Sequence, residues 1–302
     1  MMVVHATPNT LPSGVQGALL ADWLDVLGSF NGGPLSVASA DASFRRYFRL
    51  RLKGETYIAM DAPPNLEDSH PFVEIGQWMK SKGIQVPEIF AKDLTKGFMI
   101  LSDFGDFHFQ DALQNQPLDF LYGLAIEEIV KMQSNLLDAQ NKLPGFDQSW
   151  QNKELDIFRE WCLPHLSVEE YQKSTEALVK GVDLIPKAFM HRDFHCRNLL
   201  LCSENRLGII DFQGAMFGPV TYDLVSLLRD CYVDNAPAWV DQKVDAFKQK
   251  LQAAAGPINS WVAIFTKKKR MRHSTWLLHG NPRGIFAPKA PAARLKRQRG
   301  LS

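Results

Sequence analysis

The chain has 302 residues, 45% of them apolar and 22% charged, which suits a soluble globular protein with enough length for one large domain or two lobes. Its net charge of +1 hides an uneven distribution: eleven Lys or Arg and no Asp or Glu follow Thr266, while 23 basic residues face 33 acidic ones before it, a net of −10. Several classes are excluded: no apolar run approaches the roughly 18–20 residues of a spanning helix, the first residues lack a secretion-signal pattern, and Cys162, Cys196, Cys202 and Cys231 make neither a CxxC pair nor a dense disulfide framework. A reduced, cytoplasmic protein without a membrane partner is expected.

In chain order, Leu19, Leu20, Trp23, Leu24 and Leu27 share one helical face over residues 15–28, with Gly28 as the stop. Residues 44–52 read as a strand, Lys53-Gly54-Glu55 as a turn and Tyr57 to Met60 as a second strand, ended by Asp61-Ala62-Pro63-Pro64. A helix is expected over 72–82, extended chain at 86–89 and a further strand from Gly97 to Leu101. Beyond the connector Ser102-Asp103-Phe104-Gly105, helices dominate: 117–139 starting on Pro117, 168–180 behind a Ser167/Glu170 capping box, then 220–233 and 237–254. The expected class is α+β, with a small, mostly antiparallel sheet lobe (1–101), a larger helical lobe (102–265) and a basic tail (266–302).

The chemistry-bearing stretch is 189–214, FMHRDFHCRNLLLCSENRLGIIDFQG. His191-Arg192-Asp193, four spacers, Asn198, an apolar strand and Asp211-Phe212 follow the order of a kinase catalytic loop and metal loop. Asp193 is the candidate catalytic base, and Asn198 and Asp211 are the candidate Mg²⁺ ligands. The bland alternative is a polar turn whose side chains satisfy local backbone donors. Gln213 stands where protein kinases have glycine, so a permanently assembled metal loop is expected rather than a flipping one. His191 and His195 are four apart, but the segment does not read as helical and lacks an HExxH glutamate, which argues against zinc. Upstream, Ser39-Ala40-Asp41-Ala42-Ser43 places small residues before Arg45 and Arg46, where backbone N–H groups and guanidinium groups can meet phosphate; a solvated strand face would show the same pattern.

HRDFHCRNLL with IIDFQ resembles the aminoglycoside phosphotransferase and choline kinase group, of two-lobed protein-kinase-like fold. DASFRRYFRL (41–50), MDAPP (60–64), MHRDFHCRNLL (190–200) and IIDFQGAMFGPVTYDLVSLLRD (209–230) are more narrowly similar to bacterial anomeric kinases of cell-wall amino sugars. The resemblance covers residues 15 to roughly 255. It implies ATP and Mg²⁺ as cofactors, N-acetylmuramate or N-acetylglucosamine as substrate, a sugar 1-phosphate as product and a role in peptidoglycan recycling. It further implies Asp193 as base, Asn198 and Asp211 as metal ligands, Ser43, Arg45 and Arg46 toward the phosphates, Leu101 and Asp103 toward adenine, and Asp223 as a brace of the catalytic loop. Two departures stand out. The third strand, Ile58-Ala59-Met60-Asp61, lacks the usual phosphate-binding lysine, so Arg45 or Arg46 is expected to replace it and Glu74 loses its expected partner. From Lys267 on, Pro282, Gly284, Pro288 and Pro291 lie among basic residues with no helical apolar period, as a shifted reading frame would produce.

Two other readings remain open on sequence grounds. One is a phosphotransferase of the same fold with an aminoglycoside, choline-like or amino-acid acceptor. The other is a non-catalytic nucleotide-binding protein with a disrupted substrate lobe. Nucleic acid is not expected as a partner, since the basic tail is poor in aromatics and carries no groove-reading motif.

Overall fold

The computed structural model describes residues 15–39 and 44–254; Ser43 and the basic tail lie outside them. Helix α1 (Val15–Leu27) leads into β1 (Leu35–Ser39), β2 (Arg46–Leu52) and β3 (Glu55–Asp61); α2 (His70–Ser81) precedes β4 (Ile89–Asp93) and β5 (Phe98–Ser102). These strands form an antiparallel five-stranded sheet in the order β1-β2-β3-β5-β4. Strand alternation gives the sheet two apolar faces. On one, Leu20, Trp23 and Leu24 of α1 pack against Phe48, Leu50, Ala59, Phe98 and Ile100. Each such fully buried side chain contributes about 1.5–3 kcal/mol. On the other, Met60, Met99 and Leu101 meet Phe72, Val73, Ile75 and Met79 of α2. That second cluster continues through Phe212 and Ile209 into the helical part, so α2 ties sheet and helices into one core.

The remaining order is α3 (Phe109–Ala112), α4 (Leu118–Asn135), α5 (Ala139–Lys142), α6 (Gln148–Cys162), α7 (Val168–Asp183), β6 (Lys187–Met190), β7 (Leu199–Leu201), β8 (Leu207–Ile209), β9 (Met216–Pro219), α8 (Tyr222–Leu228) and α9 (Pro237–Ala254). In α4, Leu121, Tyr122, Ala125, Ile126, Ile129, Val130 and Met132 form the buried stripe that anchors this part. The capping box of α7 is present: Ser167 Oγ accepts from the Glu170 N–H at 3.2 Å, and Glu170 accepts from the Ser167 N–H at 3.0 Å.

Several boundaries differ from the sequence expectation. The 117–139 helix is split, since α4 stops at Asn135 and the chain turns through Leu136 before α5, both Leu136 and Ala139 being buried. The helix expected over 220–233 is only α8: Asp230 lies beyond it and caps the N–H groups of Tyr232, just after, and of Cys196 in the catalytic loop. Phe44 precedes β2 and is exposed. Residues 84–88 form a joint, in which Gln85 O accepts from Ile209 N and Glu88 exchanges bonds with Ser102.

Candidate active site

Two short antiparallel strand pairs build the site. β6 pairs with β9 and β7 with β8, so the loop after β6 (191–198) and the turn after β8 (210–215) emerge side by side. Ile210 N donates to Asn198 O at 3.1 Å, joining the two segments by main chain. Asn198 Nδ2 donates to Asp193 O at 2.9 Å and lies 3.4 Å from Asp211 Oδ2. The Asn198 and Asp211 side chains are thereby brought together with the main chain of Asp193, as the spacing predicts. Asp211 has a left-handed backbone, with φ 65°, and also accepts from Gln213 Nε2.

With its Nδ2 committed to oxygen atoms, Asn198 keeps Oδ1 as an acceptor. One carboxylate and one amide oxygen are a donor set suited to Mg²⁺, which takes one or two protein oxygens and fills its shell from phosphates and water. Among the described residues there is no cluster of three His, Cys, Asp or Glu that would make an all-protein cage. Zinc between His191 and His195 finds no support: His191 is fully buried beside Phe194.

The loop is held from behind by carboxylates. Asp223, 1% exposed, accepts from the N–H groups of His191 at 2.8 Å and Arg192 at 3.0 Å, the brace expected of it. Asp230 accepts from Cys196 N at 2.8 Å and Tyr232 N at 3.0 Å. Burial pushes the Asp223 carboxyl up to about 7 against the pull of its two N–H bonds, and the Asp193 charge adds to the rise. Burial also lowers the His191 imidazole to about 4, so it is neutral near pH 7. Arg192 has φ 78° and reaches Glu154 of α6 at 3.1 Å.

The Asp211 turn is tied to the sheet through Phe212, which stacks on Phe72 in the first turn of α2 at 5.0 Å between ring centroids. Arg45, 8% exposed, forms an ion pair with Glu67 at 3.2 Å, just ahead of the same helix end. Arg45 and the Asp211 turn therefore approach the start of α2 together. Arg46 does not join them. Register sets it opposite Asp61, on the α1-covered face with Phe48 and Ala59, and its guanidinium pairs with the fully buried Asp61 carboxylate. Met60 occupies the helix-facing position of β3 within the apolar core, and Glu74 is solvent-exposed on α2, so no lysine–glutamate pair is formed there.

The connector side chains are held within the protein. Leu101 is buried between its β3 and β4 partners, Ile58 and Ile89. Asp103 accepts from Arg49 Nε and Nη2 at 2.5 and 3.0 Å and from Gly105 N at 2.9 Å. Its carboxylate fastens the connector to β2, with Asp106 taking the other side of Arg49. Burial works to raise Asp103, but the bonds from Arg49 and Gly105 outweigh it and hold the carboxyl below its usual range. Phe104 lies against Gly208 of β8 so closely that a Cβ there would fall 2.4 Å from the ring. Sequence reasoning missed Arg49, Glu154 and Asp230. Only Asp230 carried a local signal, as the acidic residue closing the 209–230 block.

The model of the phosphotransferase enzyme family matches residues 34–257. The chain belongs to that family. As a member it is a kinase-type enzyme that moves a phosphoryl group to a hydroxyl acceptor. It is 36% identical over 246 residues to a Pseudomonas putida N-acetylmuramate/N-acetylglucosamine kinase, covering 79% of this chain and 72% of that one. A Pseudomonas aeruginosa protein of the same name is 38% identical over 217 residues, covering 69% of this chain and 62% of its own length. Among solved structures, the streptomycin-ATP-APH(2")-IIa ternary complex has the same phosphotransferase fold. Its TM-score is 0.53 at 16% identity, covering 78% of this chain and 84% of that one.

Proposed function

We propose that this phosphotransferase is an ATP- and Mg²⁺-dependent amino-sugar kinase. It transfers the γ-phosphoryl group to the anomeric hydroxyl of N-acetylmuramate and N-acetylglucosamine, giving the sugar 1-phosphate and ADP. The observation that carries the reading is the convergence of Asp193, Asn198 and Asp211 in a chain whose relatives bear that kinase name.

In this reading Asp193 orients the acceptor hydroxyl and takes its proton as the oxygen bonds to phosphorus and ADP departs. An anomeric hydroxyl is more acidic than an ordinary alcohol, so an aspartate is a sufficient base. Asn198 and Asp211 would hold the magnesium ion, whose chemistry there is to neutralise charge on the phosphates. Arg45, held by Glu67 at the end of α2 nearest the Asp211 turn, takes the place of the missing strand lysine. The Ser43 main chain is assigned to the phosphates and the connector main chain after Leu101 to the adenine. The sheet lobe then ends at 101, and the helical lobe presents the acceptor. No helix among the described residues is long and apolar enough to cross a membrane, and the cytoplasm, where ATP is available, is the proposed compartment.

The test is ADP release from ATP and Mg²⁺ with each of the two sugars, a panel of aminoglycosides, and choline. Turnover restricted to the amino sugars supports the reading. Turnover only with a cationic acceptor replaces it with another activity of the same fold, and nucleotide-dependent thermal stabilisation without turnover on any acceptor replaces it with a binding function.

A further inference from the structure

A buried charge cluster beside the catalytic loop has no place in the chemistry described so far. Arg192 Nη2 donates to Glu154 Oε1 at 3.1 Å, and the Tyr222 hydroxyl donates to Glu154 Oε2 at 3.0 Å. Arg192 Nη1 lies 3.4 Å from Gly214 O, and its guanidinium sits over the Trp150 ring at 5.4 Å. The Arg192 and Glu154 side chains are 15% and 16% exposed. Four elements meet here: α6 through Trp150 and Glu154, the catalytic loop through Arg192, the Asp211 turn through Gly214, and α8 through Tyr222.

Arg192 is gripped at both ends. Asp223 takes its backbone N–H, and the preceding residue of α8, Tyr222, holds the carboxylate that binds its side chain. A left-handed backbone at an arginine is strained and persists only where its surroundings over-determine it. Asp193 is the next residue, so the conformation held at Arg192 sets the direction in which that carboxylate leaves the loop.

We infer that Glu154 is a positioning residue for phosphoryl transfer: through Arg192 it fixes the aim of Asp193 and, by the Gly214 contact, the spacing between Asp193 and the Asp211 turn. The inference rests on the proposed roles of Asp193 as base and Asp211 as magnesium ligand. Glu154 is 16% exposed and acts through Arg192, so its removal should act on kcat and leave KM nearly alone. A misplacement of about 1 Å lowers such rates by about 100-fold.

The test compares Glu154→Ala, Arg192→Ala and the paired replacement Glu154→Leu with Arg192→Met. Breaking one side of a buried ion pair destabilises strongly, whereas replacing both sides by apolar groups is often neutral. The single variants should lose about 10- to 100-fold in kcat, with both KM values changed less than about threefold, and should melt lower. The paired variant should regain the melting temperature without regaining kcat. Recovery of both would overturn the inference, leaving packing as the pair's only role, as would a Glu154→Ala enzyme with undiminished kcat. Hydrogen–deuterium exchange gives an activity-independent arm. Residues 191–193 and 211–214 should exchange faster together in Glu154→Ala, and a change confined to α6 would count against the coupling. Wild-type turnover and its abolition in Asp193→Ala are measured alongside, so failure of the kinase reading is distinguished from failure of this one.

Discussion

Replacing Asp223 by alanine tests how the catalytic loop is held. The carboxylate is 1% exposed and accepts two main-chain N–H groups, from His191 and Arg192. Each N–H left buried without an acceptor costs about 1–3 kcal/mol, so the substitution should cost about 2–6 kcal/mol where the side chain is not itself a liability. It becomes one as pH rises. The folded-state carboxyl is raised from 3.8 to about 7, so Asp223 contributes its full stability below the unfolded value of 3.8 and loses part of it as pH climbs through 7. Linkage makes the cost of Asp223→Ala smaller at pH 8 than at pH 5 by about 2–3 kcal/mol. Urea unfolding of both proteins at pH 5, 6.5 and 8 measures this directly. A cost that is flat or grows with pH would refute the reasoning, because it would mean that the two N–H bonds outweigh burial and favour the anion. Asp223→Asn, which keeps one acceptor oxygen and does not titrate, should fall between wild type and alanine and show no such pH term of its own.

His191 should act in the opposite sense. Its folded-state value is depressed from 6.5 to about 4, so its contribution is present above 6.5 and is lost as pH falls toward 4, about 3 kcal/mol in all; His191→Gln should flatten that acid limb in the same unfolding series. Arg46→Met removes an ion-pair partner from fully buried Asp61. Discounted because Arg46 is 39% exposed, the loss should be about 2–3 kcal/mol, read as a lower melting temperature with little change in nucleotide affinity. A large rise in the KM for ATP would instead return Arg46 to the phosphate site. Gly97→Ala places a Cβ 1.9 Å from Ala62 O at φ +80°, so it should lower stability by at least about 2 kcal/mol, measured by thermal unfolding.

What the sequence displayed were features whose cause is local. The Ser167/Glu170 box, the Gly28 stop and the strand pair around Lys53-Gly54 each depend on residues a few positions apart, and the Asp193–Asn198–Asp211 order lies within one continuous stretch; all appear in the fold. The roles that shifted depend on register and distant partners. Arg45 and Arg46 are neighbours, yet strand pairing sends Arg46 to Asp61 while Arg45 reaches Glu67. The Asp103 carboxylate is held by Arg49, 54 positions away, a partner that no local pattern displays. Helix α6 escaped notice because it is polar overall and only Gln151 and Leu155 of its residues are buried; a further signal was the Asp147 cap on the Trp150 N–H. α8 ended early because Asp230 serves the catalytic loop, a demand that no helix propensity encodes.

The central claim is where the phosphate goes. With ATP, Mg²⁺ and N-acetylmuramate or N-acetylglucosamine, phosphorus–proton correlation NMR of the product should couple the new phosphate to the anomeric proton, and Asp193→Ala should give no such product while remaining folded. A phosphate coupled to any other sugar position, or full turnover by Asp193→Ala, would contradict the account.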